Sequence, residues 1–188
     1  SIFSWVIYDI GNTLFNAGVT GLFFPLWIIT KLNGTDATVG YTLSIALLVS
    51  LMISPIVGAL SDQTKNRKIF LGLFTVVCGL STTFIGNNSL INSLIYYGTS
   101  VTCLHVGDIF YNSMLKDVSN KNNIGIIGGI GAGIGYIGAI IAILIGLLII
   151  EDQGYPIGFT MIGLLIIFFG IPILIFLKEK PQQIQNRY

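Results

Sequence analysis

The sequence predicts an all-α polytopic membrane protein, and three observations support that prediction. Of its 188 residues, 53% are hydrophobic and only 9% are charged, whereas a soluble domain carries about a quarter charged residues. The mean hydropathy is +0.85. Apolar segments long enough to cross a bilayer, which takes roughly 20 residues, follow one another along nearly the whole chain. They leave no room for a soluble domain.

Six apolar segments have the length and composition of transmembrane helices. The first is interpreted as a true span and not as a signal peptide, because it lacks a basic n-region, exceeds the usual apolar length and contains Asp9, Asn12 and Asn16. The expected organisation is a six-helix domain over residues 1–180, followed by residues 181–188 as a cytoplasmic tail or the start of a central loop. The expected spans are 3–30, 38–61, 68–86, 89–114, 123–150 and 155–177.

The basic residues predict the orientation of the chain. When the loops are assigned alternately to the two sides, one side receives eight of the nine basic residues and the other receives Lys31 alone. The positive-inside rule then places both termini in the cytoplasm. The expected location is the cell (inner) membrane, in preference to an organelle membrane. The eight residues are Lys65, Arg67, Lys68, Lys116, Lys121, Lys178, Lys180 and Arg187.

Polar residues form a stripe on two of the predicted spans. A charged side chain at mid-bilayer costs about 2.5–3.5 kcal/mol on insertion scales, so it usually faces a cavity or a partner. The helical period places the polar residues of the first span on one face of that helix, and it does the same for those of the fourth span. Both sets lie in the same half of the membrane. A His–Asp pair suits proton exchange near neutral pH. The predicted solute or proton path consists of Asp9, Asn12, Asn16, His105, Asp108 and Asn112; the alternative is that these groups only hold helices together.

The fifth segment is rich in glycine at a spacing that predicts close helix packing. Small residues every fourth position let helix backbones approach closely, so two stripes indicate close neighbours on two sides. A nucleotide-binding loop is disfavoured because no strand precedes the segment. One stripe is Gly125, Gly129 and Gly133, and the other is Gly128, Gly131, Gly135 and Gly138.

The loop after the second span carries the densest basic cluster. Its run Gly58–Lys68 places a small residue, an aspartate and basic residues between two spans. It resembles the signature loop of the major facilitator superfamily, although Gln63 and Lys65 stand where that loop has a basic residue and a glycine. The resemblance implies that Gly58, Asp62, Arg67 and Lys68, here called the latch residues, hold the two halves of a transporter in the outward-facing state. The alternative is a solvated loop that only fixes topology.

Three further stretches are similar to one branch of that superfamily, which is related to the fungal autophagy-linked vacuolar amino-acid exporters. Trp5–Thr13 resembles its W-x-x-Y-D-x-x-N-S motif, and Gly133–Gly138 resembles its G-x-G-Y-x-G motif. Phe110–Asp117 resembles F-Y-N-A-x-L-P-D, with Lys116 in place of the proline. The resemblance implies six transmembrane helices arranged as two inverted three-helix repeats, which is half of a major facilitator fold.

The resemblance also implies the function and the partners. The expected protein is a half-size secondary transporter, or the N-terminal half of one, that moves a small solute by alternating access; an amino acid as solute and proton coupling are the options suggested. Its expected partners are the lipid bilayer, the solute and a second six-helix half, which is a second copy, another subunit or a missing C-terminal half. No cofactor, metal or nucleic acid is expected.

Two other classes of protein remain as alternatives. A non-transporting structural or assembly subunit of a larger membrane complex is favoured by the halved length and by the departures in the signature loop. An intramembrane protease is disfavoured, because His105 is the only histidine and no serine lies in a Gly-x-Ser-Gly setting. The protein is therefore not expected to be an enzyme.

Overall fold

A computed structural model of the protein describes residues 2–63, 66–87, 89–120 and 122–179, and all the regular structure within them is helical. A short helix, Leu115–Val118, connects the fourth long helix to the fifth. The predicted tail at 181–188 lies outside the described residues, as do Lys65, Lys121 and Lys180. The long helices are α1 Ile2–Lys31, α2 Asp36–Gln63, α3 Arg67–Asn87, α4 Leu90–Ser113, α5 Ile124–Gln153 and α6 Tyr155–Phe176.

Three of these helices change their winding along their length. In α1, a π-helical stretch at Phe15–Phe23 separates two α-helical parts, Ile2–Leu14 and Phe24–Lys31. The wider turns of π-helix occur mostly as short insertions in α-helices, and frequently at functional sites. Toward its end, α5 runs from Ile124–Ile145 through a π-helical Gly146–Ile150 to Glu151–Gln153, and α3 passes from Arg67–Phe84 into a 3₁₀ turn at Ile85–Asn87.

The turn between α5 and α6 shows how the sequence ends one helix and begins the next. Gly154 has a φ of 87°, a left-handed backbone that glycine adopts without steric cost. Pro156 follows in the first turn of α6, where its missing N–H leaves no helical hydrogen bond unmade. The chain therefore reverses within a single residue, and α6 packs back along the bundle.

Five of the six long helices are long and apolar enough to cross a membrane, judged by length and composition. The exception is α4, which carries His105, Asp108 and several hydroxyl and amide side chains. Large apolar side chains are exposed around the bundle, among them Leu51, Ile56 and Phe168. Such a surface is stable against lipid or against another apolar protein surface, and it is that of an integral membrane protein.

The helices pack in a definite set of neighbouring pairs. The most extensive contacts are those of α1 with α5, α3 with α6, α3 with α4, α2 with α4, and α1 with α6. Two apolar clusters fill the interior, one built around Phe15 and Phe159, and the other around Trp5 and Phe110. The second cluster lies where the beginning of α1 meets the end of α4, and the candidate site lies beside it.

Candidate functional site

The polar stripe of α1 faces α4, and one hydrogen bond joins the two helices. Asn12 Nδ2–H donates to Asp108 Oδ1 over 2.8 Å. Both residues are half-buried, as is Asp9. The structure therefore brings the predicted stripes of α1 and α4 into direct contact through Asn12.

A second amide extends this contact to the surface of the chain. Asn16 is exposed, and its Nδ2–H donates to Asn12 Oδ1 over 3.0 Å and to the Asn12 backbone carbonyl over 3.1 Å. Because Asn12 accepts at its side-chain oxygen and donates at its nitrogen, the orientation of its amide is determined. We call Asp9, Asn12, Asn16 and Asp108 the polar row.

Asp9 lies at the other edge of the polar row, where α1, α4 and α5 meet. Its carboxylate packs directly against the backbone of α5 at Gly135. The Tyr111 hydroxyl lies beside it, and Asp108 is near enough to repel it electrostatically. No lysine or arginine pairs with Asp9 or Asp108 within the described part of the chain. Two carboxylates without a cation between them can bind a proton or a cationic group.

A cluster of aromatic side chains packs beside the polar row, near the beginning of α1. Trp5 and Tyr111 stack with ring centroids 4.6 Å apart. The Trp5 indole N–H donates to the Tyr111 carbonyl over 3.2 Å, and the Tyr111 hydroxyl donates to the Trp5 carbonyl over 3.2 Å. Tyr8 packs on Tyr111 and shares a hydrogen bond of 3.1 Å with Thr75 of α3. Sequence reasoning quoted the motifs that contain Trp5, Tyr8 and Tyr111 but did not assign these residues to the site.

His105 and Asn112 take no part in the hydrogen bonds of the polar row. His105 is half-buried one helical turn from Asp108, yet the hydrogen-bond partner of Asp108 among the described residues is Asn12. Asn112 is exposed at the end of α4. The predicted solute or proton path is therefore brought together at Asp9, Asn12, Asn16 and Asp108, with His105 on the adjoining turn.

A second charged site lies where α2 ends and α3 begins. Arg67 Nη2 donates to Asp117 Oδ2 over 2.7 Å, and these side chains are only 2% and 6% exposed. Arg67 Nη1 also donates to the Ser113 carbonyl over 3.3 Å, and Ser61 Oγ donates to Ser113 Oγ over 3.1 Å. We call Ser61, Arg67, Ser113 and Asp117 the charged clamp, because it ties α2, α3 and α4 together.

The four latch residues were expected to act together, but in the structure they do not form one cluster. Arg67 belongs to the charged clamp, whereas Asp62 is exposed, and the carboxylate paired with Arg67 is Asp117. Gly58 has open space around it. The Lys68 backbone N–H donates to Glu179 Oε1 over 2.6 Å, so the carboxylate after α6 caps the start of α3. Asp117 closes a motif that the sequence analysis quoted; nothing in the sequence pointed to Glu179.

The two glycine stripes of α5 have different surroundings. Gly131, Gly135 and Gly138 are buried against α1. Gly125, Gly129 and Gly133 are exposed, with no atom near enough to meet an added side chain. The stripe that contains Gly131, Gly135 and Gly138 therefore packs against α1. The other stripe has no neighbouring helix among the described residues.

A groove of about 480 Å³ lies between α2 and α4. Its walls are apolar and hydroxyl side chains, including Thr42, Ala46, Thr102 and Cys103, and no charged residue lines it.

The described residues contain no group of three or more His, Cys, Asp or Glu side chains that could hold a metal ion. The chemistry available at the site is thus that of two carboxylates, two amides and neighbouring hydroxyl groups.

Comparison with known proteins identifies the family. The family model for the Major Facilitator Superfamily matches residues 11–187. An uncharacterized MFS-type transporter of Bacillus subtilis, YxiO, is 27% identical over 98% of this chain and 50% of its own length. An uncharacterized protein of Aquifex aeolicus is 29% identical over 95% of this chain and 46% of its own length. No solved structure matches significantly.

The chain spans about half the length of the curated relatives it matches. The family match covers almost the whole chain, including the charged clamp and all of the polar row except Asp9. The chain belongs to the Major Facilitator Superfamily.

Proposed function

We propose that this chain forms one half of a secondary transporter that moves a small solute across a membrane by alternating access. The observation that carries the proposal is the polar row. Two carboxylates and two amides lie together on helices of a bundle whose outer surface is largely apolar, and no basic side chain in the described residues neutralises them. Such groups are costly inside a bilayer unless they face water or a bound partner. Membership of the superfamily supports the same conclusion.

The packing of the helices supports six spans arranged as two inverted repeats. If the first three helices are exchanged with the last three, the α1–α5 contact becomes α4–α2, and the α1–α6 contact becomes α4–α3. The α3–α6 contact maps onto itself. All of these contacts are among the most extensive in the bundle. A pseudo-twofold relation between two three-helix units requires that contacts occur in matched pairs of this kind. Helix α4 has 24 residues, enough to cross about 30 Å of hydrocarbon, and its Asp108 is turned toward Asn12 of α1.

A second six-helix unit is the partner that we propose. The exposed glycines of α5 lie on a face that also carries Ile126 and Ile130, both exposed. Small residues on an open helix face allow another helix to approach closely. The curated relatives have about twice the aligned length, which is room for a further unit of this size. The partner is a second copy, another subunit or a further part of the same protein.

The solute and the coupling ion are proposed on chemistry and resemblance. Two carboxylates favour a solute with a cationic group, and an amino acid carries an ammonium group. The stretches Trp5–Thr13 and Phe110–Asp117, whose resemblance suggested amino-acid transport, meet in the structure through Trp5 and Tyr111. His105, one turn from Asp108, is the proposed proton acceptor. The charge distribution supports cytoplasmic termini, and we place the protein in the cell (inner) membrane.

A structural or assembly subunit is the second candidate function. It is favoured by the departures of the signature loop at Gln63 and Lys65, and Asp62 forms no ion pair with the described residues. It predicts that the polar row can be neutralised without consequence for any solute flux.

Uptake of a mixture of ¹⁴C-labelled amino acids by membrane vesicles, with and without an imposed pH gradient, tests the proposal. We expect uptake above that of vesicles lacking the protein, and we expect Asp9→Asn and Asp108→Asn to lower it by on the order of 10-fold or more. Asp152→Asn, at an exposed carboxylate after the π-helical end of α5, is the matched control and should retain uptake. If uptake does not exceed that of vesicles lacking the protein, the structural function is favoured instead, whereas normal transport by Asp9→Asn would remove Asp9 from the solute path.

A further inference from the structure

The buried glycines of α5 each lie against a different kind of group on α1. A methyl group added at Gly131 would lie 2.5 Å from the Trp5 ring. One added at Gly135 would lie 2.5 Å from Asp9 Oδ2 and 3.0 Å from Thr13 Oγ1. One added at Gly138 would meet the backbone carbonyl of Ile10. The same absence of a side chain therefore has three different consequences along one helix face.

The difference lies in whether the obstructed group can move. At Gly138 the obstacle is backbone, and the closely packed helices would have to separate to admit a methyl group. At Gly135 the obstacle is the free end of a side chain, which can rotate away by changing its χ angles. A substitution at Gly135 is therefore compatible with an intact helix pair, but not with the observed position of the Asp9 carboxylate.

We propose that Gly135 is a positioning residue for Asp9. Because position 135 has no side chain, the Asp9 carboxylate rests on the α5 backbone, with Tyr111 of α4 beside it and Asp108 within electrostatic reach. A carboxylate displaced from this seat changes its distance to both groups. The proposal deepens the proposed function and rests on it for the consequence in transport, while the seating of Asp9 is a separate claim.

A double-mutant cycle in thermal unfolding separates positioning from plain helix packing. The purified protein is compared with Gly135→Ala, Asp9→Ala and the double variant. We expect Gly135→Ala alone to lower the Tm by about 2–10 °C, as overpacking does in a protein of this size. In the Asp9→Ala background the same change should lower the Tm by less, because the carboxylate is gone and only the Thr13 hydroxyl, 3.0 Å from the methyl group, stays in close contact.

Uptake by vesicles that contain equal amounts of folded protein gives the functional readout. We expect Gly135→Ala to reduce it by on the order of 10- to 100-fold, as misplacement of a reacting group by about 1 Å does. Gly40→Ala is the matched control, because Gly40 is an exposed helical glycine with open space around it.

Two results would overturn the positioning role. The first is an equal loss of Tm for Gly135→Ala in both backgrounds, which would make Gly135 a packing residue only. The second is undiminished uptake by Gly135→Ala. If Asp9→Ala itself transports normally, Asp9 has no role in the solute path, yet the unfolding cycle still decides whether Gly135 seats Asp9.

Discussion

The charged clamp and the polar row both place a carboxylate on or just after α4, but they treat it in opposite ways. Asp117 is bonded to Arg67 at 2.7 Å, and the pair is closed from solvent. Asp108 has an amide, Asn12, as its hydrogen-bond partner, and the row it belongs to runs outward to the exposed Asn16. Among the described residues, Asp117 has a counter-charge and Asp108 does not.

The difference teaches what each site is built to do. A buried ion pair depends on both partners, because either charge left alone lacks both water and its counter-ion. A carboxylate held by an amide keeps its charge available for a group that arrives from outside. We therefore propose that the charged clamp serves the assembly of the bundle and that the polar row serves the solute.

The largest loss of stability is expected when the charged clamp loses its carboxylate, Asp117. Asp117→Asn leaves Arg67 buried without a carboxylate, and breaking a buried pair in this way costs about 3–5 kcal/mol. The free energy of unfolding in detergent, measured by denaturant titration, checks this value. Asp62→Asn is the matched control, because Asp62 is exposed, and it should change stability by no more than about 0.5 kcal/mol. Equal effects of the two variants would contradict the role given to Asp117.

An intermediate effect is expected at the bond between α1 and α4. Asn12→Ala removes the donor to Asp108 and the acceptor for Asn16, and the loss of a hydrogen bond to a charged group costs about 1.5–3 kcal/mol. The same titration measures it. Asn16→Ala, at an exposed position, should cost less than about 0.5 kcal/mol. A larger loss of unfolding free energy for Asn16→Ala than for Asn12→Ala would contradict the role given to the bond between Asn12 and Asp108.

A smaller effect is expected where Glu179 caps α3. Glu179→Gln keeps an oxygen acceptor for the Lys68 N–H but removes the negative charge from the start of the helix. The favourable interaction of a carboxylate with a helix N-terminus is about 0.3–1 kcal/mol. The loss should shrink as salt is added, because salt screens the interaction. A loss that does not depend on salt would show that packing, and not charge, is what Glu179 contributes.

The smallest loss is expected in the polar row itself. Asp9→Asn removes a half-buried charge that has no cation beside it among the described residues, so the free energy of unfolding should stay within about 0.5 kcal/mol or rise. Thermal unfolding beside Asp117→Asn makes the comparison directly. A destabilisation by Asp9→Asn as large as that by Asp117→Asn would erase the distinction between the two sites.

The all-helical structure was predictable because long apolar segments alternate with short polar ones, and in a bilayer a helix satisfies its own backbone. The polar stripes of α1 and α4 were predictable too, since Asp9, Asn12 and Asn16 share one face of their helix and Asp108 lies on a polar face of another. These features depend on spacing within a single helix. The π-helical stretch at Phe15–Phe23 has no comparable signal in the sequence.

The pairings between helices could not be predicted in the same way. Arg67 has Asp62 close in sequence and Asp117 far away, and only the positions of α3 and α4 decide in favour of Asp117. Likewise, the rotation of α5 decides that Gly135, and not Gly133, lies against Asp9. His105 shares a helical face with Asp108, yet an amide from another helix reaches that carboxylate. Sequence spacing sets the face of a helix, and packing sets its partner.

Access of water to the polar row tests the central claim most directly. The measurement is the rate at which a water-soluble maleimide labels Asn16→Cys in native membranes, in a variant with Cys78 and Cys103 replaced by alanine. Only the hydrated thiolate reacts, so labelling reports an aqueous path. Leu164→Cys, on the exposed apolar face of α6, is the matched control. We predict rapid labelling at position 16 and none at position 164; an unreactive cysteine at position 16 would contradict an open polar row.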